Sequence, residues 1–519
     1  MDIPKGIVPE LFRPAVTVED DGLFHARNLV NGVWKDSTAG TFDGVSPVDG
    51  RIAAKVPLAS AGDVDQAIEA SYTGQNLVRD ISAIERIELF DRAAALLKMH
   101  EEFFRFLLLV EAGKPRHESS GEIAATEERL RMTMQEAKKI TGEYIPGDWS
   151  HDTLQKVAVV IHEPIGLVAA ITSFNYPLYI PSAKIIPALL AGNSLVIKPA
   201  SAVPLTLISF VRLLEAAGFP TRALNLVTGS SEVGDRMTAD LRVDMISFTG
   251  STAVGKHISQ NAGMKKLHLE LGGKAVAIVA DDCDLDLAAA KCVEGSLKNA
   301  GQRCDAISAV LVQETAADDL VKRMAALLPK WPCGDPRDER NKVGPLINLQ
   351  AARRVKGLVD DARAKGAEIL VGGTHRDCYF EPTLLDHVPV QARIASEETF
   401  GPVITVIRVK DDKEALRIAE APHFGLDSCV FSNNFYRMWK LAKRLEVGGV
   451  TINDIPRHGV GYFPFGGVND SGLGREGIGY SVEEMTRPKT IVFNLEPAGL
   501  GKKHFITPSS PSPEFAPPS

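Results

Sequence analysis

The chain has 519 residues, 45% of them apolar and 24% charged, with a formal charge of −8. That length exceeds one simple core and predicts about two to four structural units, and the acidic balance argues against a general nucleic-acid binder. Six cysteines with no CxxC pair and no metal-type Cys/His spacing exclude a dense disulfide framework and point to a reducing compartment.

Residues 1–28 mix Pro with acidic side chains and read as an irregular arm. Their start, "MDIPKGIVPELFRP", has no apolar export core, and no run in the chain approaches the roughly 18 apolar residues that span a bilayer, so the expected location is cytoplasmic. Residues 85–112 place apolar side chains at helical period, and Gly113 with Pro115 then stops the helix. From 166 the pattern becomes regular. "GLVAAITSF", "SLVIKPA", "LNLVTG", "DMISFTG" and "KLHLELGG" read as strands, with helical stretches between them. Continuous apolar strands alternating with helices predict an α/β, doubly wound parallel sheet.

A second α/β run follows with "KAVAIVA", helices at 284–299, 315–328 and 349–365, then "PVITVIRV" and "GGVTIND". The predicted division is a cofactor-binding domain from 29–148 and 166–273 and a catalytic α/β domain at 274–480. Segments 149–165 and 481–500 fit neither. Their β-rich strings "KVAVVIHEP" and "KTIVFNL" need edge partners, so they predict a small bridging sheet, completed in an oligomer. The tail 501–519 is Pro/Ser-rich and expected to be disordered.

An open α/β sheet binds ligands at its strand ends. Here those ends carry Asn175, Lys198, Gly229, "FTGSTAVG" and Glu270. "GSTAVG" opens a helix directly after a strand, so its free N–H groups can hold a pyrophosphate. Lys198 can contact ribose or phosphate, or be a solvated lysine. Glu270, framed by Leu269 and Leu271, is a candidate for a raised pKa and general-base work, or for a strand-end cap. Asn175 offers an amide donor to an oxyanion, or serves a turn. Cys304 ends "NAGQRC", a polar turn, and Arg303 beside it is expected to depress the thiol pKa. His162 and His268 read as packed or exposed strand residues, and no metal, P-loop or GxSxG pattern is present.

Asn175, Lys198, "FTGS", "ELGGK", "GQRC" and "EETFGPV" (397–403), in that order, resemble the aldehyde dehydrogenase superfamily over roughly residues 28–495. The resemblance implies that Cys304 is the nucleophile, that Asn175 and the Cys304 N–H hold the thiohemiacetal oxyanion, and that Glu270 activates the hydrolytic water. It also implies that Thr172, Ser173, Lys198, Gly229, Gly234, Phe248, Gly250, Ser251, Glu398 and Phe400 line the cofactor site. NAD-preferring members carry Glu three residues after the Lys of "KP". Ser201 stands there in "KPAS", which favours NADP, with NAD possible.

"EYIPGDWSHDTL", "GQRCDAI" and "INDIPRHGVGYFPFGG" are similar to the non-phosphorylating glyceraldehyde-3-phosphate dehydrogenase branch. That implies an anionic aldehyde substrate met by Arg303, Tyr176, Arg457 and His458. Lys139 stands where the bacterial form of the branch has Arg, which weakens bidentate phosphate recognition. Arg303 has an alternative, pairing with Asp305 or Glu397 to shape its turn. Lactaldehyde, phosphonoacetaldehyde and succinate semialdehyde are alternative substrates. A CoA-acylating enzyme and a non-catalytic structural protein are the alternatives of another class. A homotetramer or homodimer is expected.

Overall fold

The computed structural model describes residues 3–495, so the expected tail at 501–519 lies outside the described residues. Five buried apolar segments form the parallel centre of an eight-stranded sheet: β1 (Leu167–Ile171), β2 (Ser194–Lys198), β3 (Leu224–Leu226), β4 (Met245–Thr249) and β5 (Lys266–Glu270). Their spatial order is β5-β4-β1-β2-β3. The chain runs outward from β1 to β3 and then crosses back to add β4 and β5 on the other side of β1. The order therefore reverses beside β1, and such a switch point is where sheets of this class open a crevice at their carboxyl ends. Antiparallel edges close the sheet: Asn28–Val30 beside β3, and Gly472–Leu473 beside β5.

Leu271, Gly272, Gly273 and Lys274 lead from β5 into a second sheet of seven strands, beginning with Ala275–Val279. Its neighbours Ile307–Gln313 and Asp427–Phe431 run parallel to it, and only the edge strand Glu368–Val371 is antiparallel. Cys304 precedes Ile307–Gln313, so Glu270 at the end of one sheet and Cys304 at the start of a strand in the other come from the joints between them.

The N-terminal arm differs from its expectation. Val16–Val18 and Phe24–Ala26 are strands of a four-stranded sheet, because Phe12 and Phe24 are fully buried, Phe12 with its ring 4.8 Å from Phe103. The helix expected at 85–112 is two helices, Ala83–Met99 and Glu101–Ala112, broken at His100; Gly113 ends the second at φ +63°. Among the described residues no helix is long and apolar enough to cross a membrane.

A small second unit consists of Thr141–Glu163 with the described residues from Arg487 on. It holds the strands Glu143–Pro146, Lys156–Pro164 and Thr486–Asn494. Its boundaries correct the sequence reading twice. Glu143–Pro146, expected in the cofactor segment, pairs here. The helix Tyr480–Glu484, expected in the bridge from 481 on, belongs to the large unit, where Ser481 and Val482 are buried.

Candidate active site

A cleft of ≈ 800 Å³ opens at the carboxyl ends of β1, β2 and β4. Thr172 and Ser173, which follow β1, line it with Lys198 at the end of β2 and Phe248 in β4. Gly250 and Ser251 continue the wall. A Cβ on Gly250 would stand 2.4 Å from the Phe248 ring, so the backbone approaches there only as glycine. Ser251 caps the helix Thr252–Asn261, accepting from Val254 N at 3.4 Å. The first turn of that helix presents N–H groups suited to a pyrophosphate.

Lys198 is buried, and its amine donates to the Pro199 carbonyl at 3.4 Å, a weak bond. Burial pushes it down to about 8, which an anion placed against it would reverse. Gly234 lies on the wall. Ser201 and Gly229 are bonded to one another off the wall, Ser201 Oγ donating to the Gly229 carbonyl at 2.8 Å. The Ser201 proton is thereby engaged, leaving that oxygen as an acceptor.

The turn that carries Cys304 is held by strain and by polar anchors. Asn299, Ala300 and Gly301 are consecutive left-handed residues, at φ +52°, +53° and +70°. Two of them are not glycine, a costly conformation that persists only when its surroundings enforce it. Asn299 Nδ2 donates to the Asn175 carbonyl at 3.1 Å, and Asn299 N to Glu118 Oε1 at 3.1 Å. A Cβ on Gly301 would lie 2.1 Å from the Gly401 carbonyl. The result puts Cys304 and Asn175 on one cleft wall. Ser173 Oγ donates to Asn175 Oδ1 at 2.9 Å, which leaves the amide NH2 as the donor available to the cleft.

The expected depression of the thiol pKa does not occur. Burial pushes Cys304 well up, Asp305 and Glu270 add to it, and Arg303 opposes them only in part. A thiol so placed needs a base to make it a nucleophile. The carboxylate whose charge reaches the thiol is Glu270. Burial raises it to about 7, and both its oxygens are without a hydrogen bond. Leu271 and Gly272 form the cleft wall, and Glu270 sits just behind them, with Oε1 3.3 Å from His268 Nε2.

Glu398 and Phe400 line the cleft from the other sheet. Glu398 Oε1 accepts from Gly273 N at 3.2 Å, and Arg354 Nη1 donates to the Glu398 carbonyl at 2.9 Å. The Phe400 ring meets Phe174 edge-on at 5.7 Å.

Of the residues expected around the anion, Arg303, Tyr176 and His458 gather about Asp305, whereas Arg457 and Lys139 are turned elsewhere. Arg303 is buried, with Nη2 2.7 Å from Asp305 Oδ2 and 3.2 Å from the Pro456 carbonyl, while Nη1 is buried without a partner. Tyr176 lies with its ring 3.9 Å from Lys114 Nζ, and its hydroxyl is pushed well up by burial. His458 Nε2 is 2.9 Å from Asp427 Oδ2, and its pKa is raised because the carboxylate outweighs burial. Ligand atoms of Asp305, Asp427 and His458 lie within 4.8 Å of one another, where Arg303 on Asp305 already supplies a cation. Arg457 is half exposed and turned to Glu294 at 3.4 Å. Lys139 is exposed and packed against Gly479.

His268, Asn299, Arg354 and Asp427 went unassigned in the sequence. One signal existed: His268 is two residues before Glu270 in a strand, hence on the same face.

Residues 34–491 match the aldehyde dehydrogenase family. The NADP-dependent glyceraldehyde-3-phosphate dehydrogenase of Streptococcus equinus is 38% identical over 90% of this chain and 98% of its own. The 3-sulfolactaldehyde dehydrogenase of Priestia aryabhattai is 35% identical over 90% of this chain and 97% of its own. Among solved structures, the NADP-dependent glyceraldehyde-3-phosphate dehydrogenase of Bacillus halodurans complexed with NADP superposes with a TM-score of 0.89 at 39% identity, covering 91% of this chain and all (100%) of that one.

Proposed function

Since the chain belongs to the aldehyde dehydrogenase family, we propose that it oxidises a small anionic aldehyde, glyceraldehyde 3-phosphate foremost, to its carboxylic acid with NADP. The observation that carries the reading is that Cys304 and Asn175 line one cleft while the buried Glu270 carboxylate is close enough for its charge to act on the thiol.

Cys304 gives up its thiol proton to solvent, and its Sγ attacks the aldehyde carbon. The Asn175 NH2 and the Cys304 N–H receive the developing oxyanion. NADP, when bound, would supply the hydride acceptor needed for the thiohemiacetal on Cys304 to be oxidised to a thioester. Glu270 then withdraws a proton from water, which attacks the thioester and frees Cys304 with the acid product. The residues present fit the cofactor. Lys198 has a weakly bonded buried amine for the ribose 2′-phosphate, and Gly250, Ser251 and the helix behind them suit the pyrophosphate. Ser201 in place of a carboxylate supports NADP over NAD by omitting a repulsion.

A base behind the thiol favours hydrolysis over transfer to CoA. One observation favours a second reading, a less highly charged aldehyde such as lactaldehyde: Arg457 is turned away and Arg303 is already paired. The protein is read as a cytoplasmic homodimer or homotetramer. Support comes from six free cysteines and from exposed Ile491, Val492 and Phe493 on the strand of the small unit.

The deciding experiment measures NADPH and NADH formation with glyceraldehyde 3-phosphate, lactaldehyde and succinate semialdehyde, with and without CoA. Turnover of none of these, or turnover only with CoA, defeats the proposal.

A further inference from the structure

A second cavity, of ≈ 320 Å³, lies between the helices Glu101–Ala112 and Arg116–Arg131 and the loop that carries Arg337 and Glu339. It shares no lining residue with the catalytic cleft. Its volume is at the low end for small-molecule pockets, which run from roughly 300 to 1,000 Å³.

Four cations line it: Arg105, Lys114, Arg116 and Arg337. Arg105 is 11% exposed, its two Nη groups donate to Glu101 and Glu102, and its Nε is buried without a partner. A buried donor left so is costly until something accepts from it. Arg116 and Arg337 reach the cavity from its other walls and are half exposed, Arg337 bonded to Asp335. Arg116 lies 3.1 Å from Glu102 and 3.7 Å from Glu339, whose carboxylates are 72% and 75% exposed. Pairs in so much water contribute little, so an entering anion can displace them. No side chain caps the start of the helix Arg116–Arg131, which brings the positive end of its dipole to the same wall. Guanidinium groups on three segments suit a phosphate, whose three terminal oxygens accept from several directions. Phe106 and Leu109 give a carbon chain an apolar wall.

Both sides of this cavity reach the turn of Cys304. Lys114 Nζ donates to Glu122 Oε2 at 2.5 Å and stands 3.9 Å from the Tyr176 ring, beside Asn175. Glu122 Oε1 in turn accepts from Leu178 N at 2.8 Å. In the first turn of the same helix, Glu118 holds Asn299 N, the first of the left-handed residues. On the opposite side, the chain beyond Glu339 leads to Ile347, whose N–H donates to Gln302 Oε1 at 2.9 Å, and to the Pro345 carbonyl, which accepts from Gln302 Nε2 at 3.5 Å. An occupant that draws Arg116 and Arg337 together therefore holds both anchors of a strained turn that persists only while they hold.

We propose that this cavity is a second binding site, for a small phosphate monoester, and that its occupant steadies the turn of the nucleophile from outside the cleft.

The probe is glycerol 3-phosphate, a monoester with no aldehyde to oxidise, titrated calorimetrically into the full-length protein with NADP present. It should bind more tightly than inorganic phosphate. Arg116→Glu and Arg337→Glu should each weaken it about tenfold or more while keeping the basal turnover and melting temperature. Glu339→Gln, which removes a competing carboxylate, should tighten it. Deuterium exchange into residues 297–304 should slow by about fivefold on binding in the wild type and not in Arg337→Glu. Affinity unchanged in both arginine variants places the anion elsewhere and overturns the site. Equal affinity for inorganic phosphate overturns the monoester, and no binding at about 10 mM, where a millimolar site would fill, overturns both. If the arginine variants do not fold, an unchanged affinity in Glu339→Gln counts equally against the site. Exchange that binding leaves unaltered overturns the link to Cys304. None of these readouts needs turnover, so they stand or fall apart from the proposed reaction.

Discussion

Asp305 Oδ2 stands 2.7 Å from Arg303 Nη2, beside the nucleophile. The guanidinium that sequence alone would give to the thiol or to a substrate anion is already half neutralised within its own turn. Its unpartnered Nη1 is what remains to offer. Breaking such a pair by removing one buried partner leaves an uncompensated charge, so Arg303→Ala should disturb Cys304 as well as any anion. Asp305→Asn is the cleaner change. It should lower the thiol pKa, read as faster iodoacetamide alkylation at neutral pH, and unchanged alkylation would remove Asp305 from the thiol's environment.

Arg457 gives the contrasting expectation. It is half exposed and faces Glu294, so Arg457→Ala should leave KM for glyceraldehyde 3-phosphate within about twofold, since exposed pairs contribute little. A tenfold rise in KM for the phosphorylated aldehyde alone would return Arg457 to the substrate site.

Cys304→Ser should keep cofactor affinity, followed by fluorescence titration, and lose almost all NADPH formation. A hydroxyl is a much weaker acid than a thiol, so little of it ionises to the nucleophile. Substantial turnover in a preparation free of wild-type enzyme would exclude Cys304 as the nucleophile.

Glu270→Gln should give a burst of NADPH followed by near arrest, with thioester trapped on Cys304 and detectable by mass spectrometry. In the wild type the base must be deprotonated to act. Because burial lifts Glu270 to about 7, hydrolytic turnover should climb as pH rises through that value, level off above it and fall away below. A rate independent of pH from 5 to 8, a range taken about the shifted value, would contradict this assignment.

Ser201→Glu should shift preference from NADP toward NAD. The new carboxylate loses the hydroxyl bond to Gly229 and brings negative charge near Lys198 and the 2′-phosphate; like-charge contacts of this kind cost several kcal/mol, on the order of a hundredfold or more. The ratio of kcat/KM for the two cofactors is the measurement, and a wild type that already prefers NAD would refute the premise.

Much of this was legible in the chain itself. Apolar runs such as "GLVAAI" and "SLVIK" are buried on both faces, and that alone dictates a parallel sheet with helices on each side. The ordered strings around Asn175, Glu270 and Cys304 identified the family because local spacing, strand end and turn are written in consecutive residues. Tertiary structure decided what depends on approach from distant segments. Phe12 and Phe24 order the arm only because helices near Phe103 cover them. Arg457 and His458 are adjacent in sequence, yet one faces Glu294 outside and the other pairs with buried Asp427. The thiol pKa rises rather than falls because burial and carboxylates on three different segments outweigh the neighbouring arginine. Charge in a sequence is a property of one residue, whereas its effect is set by desolvation and by partners that only folding brings within a few ångströms.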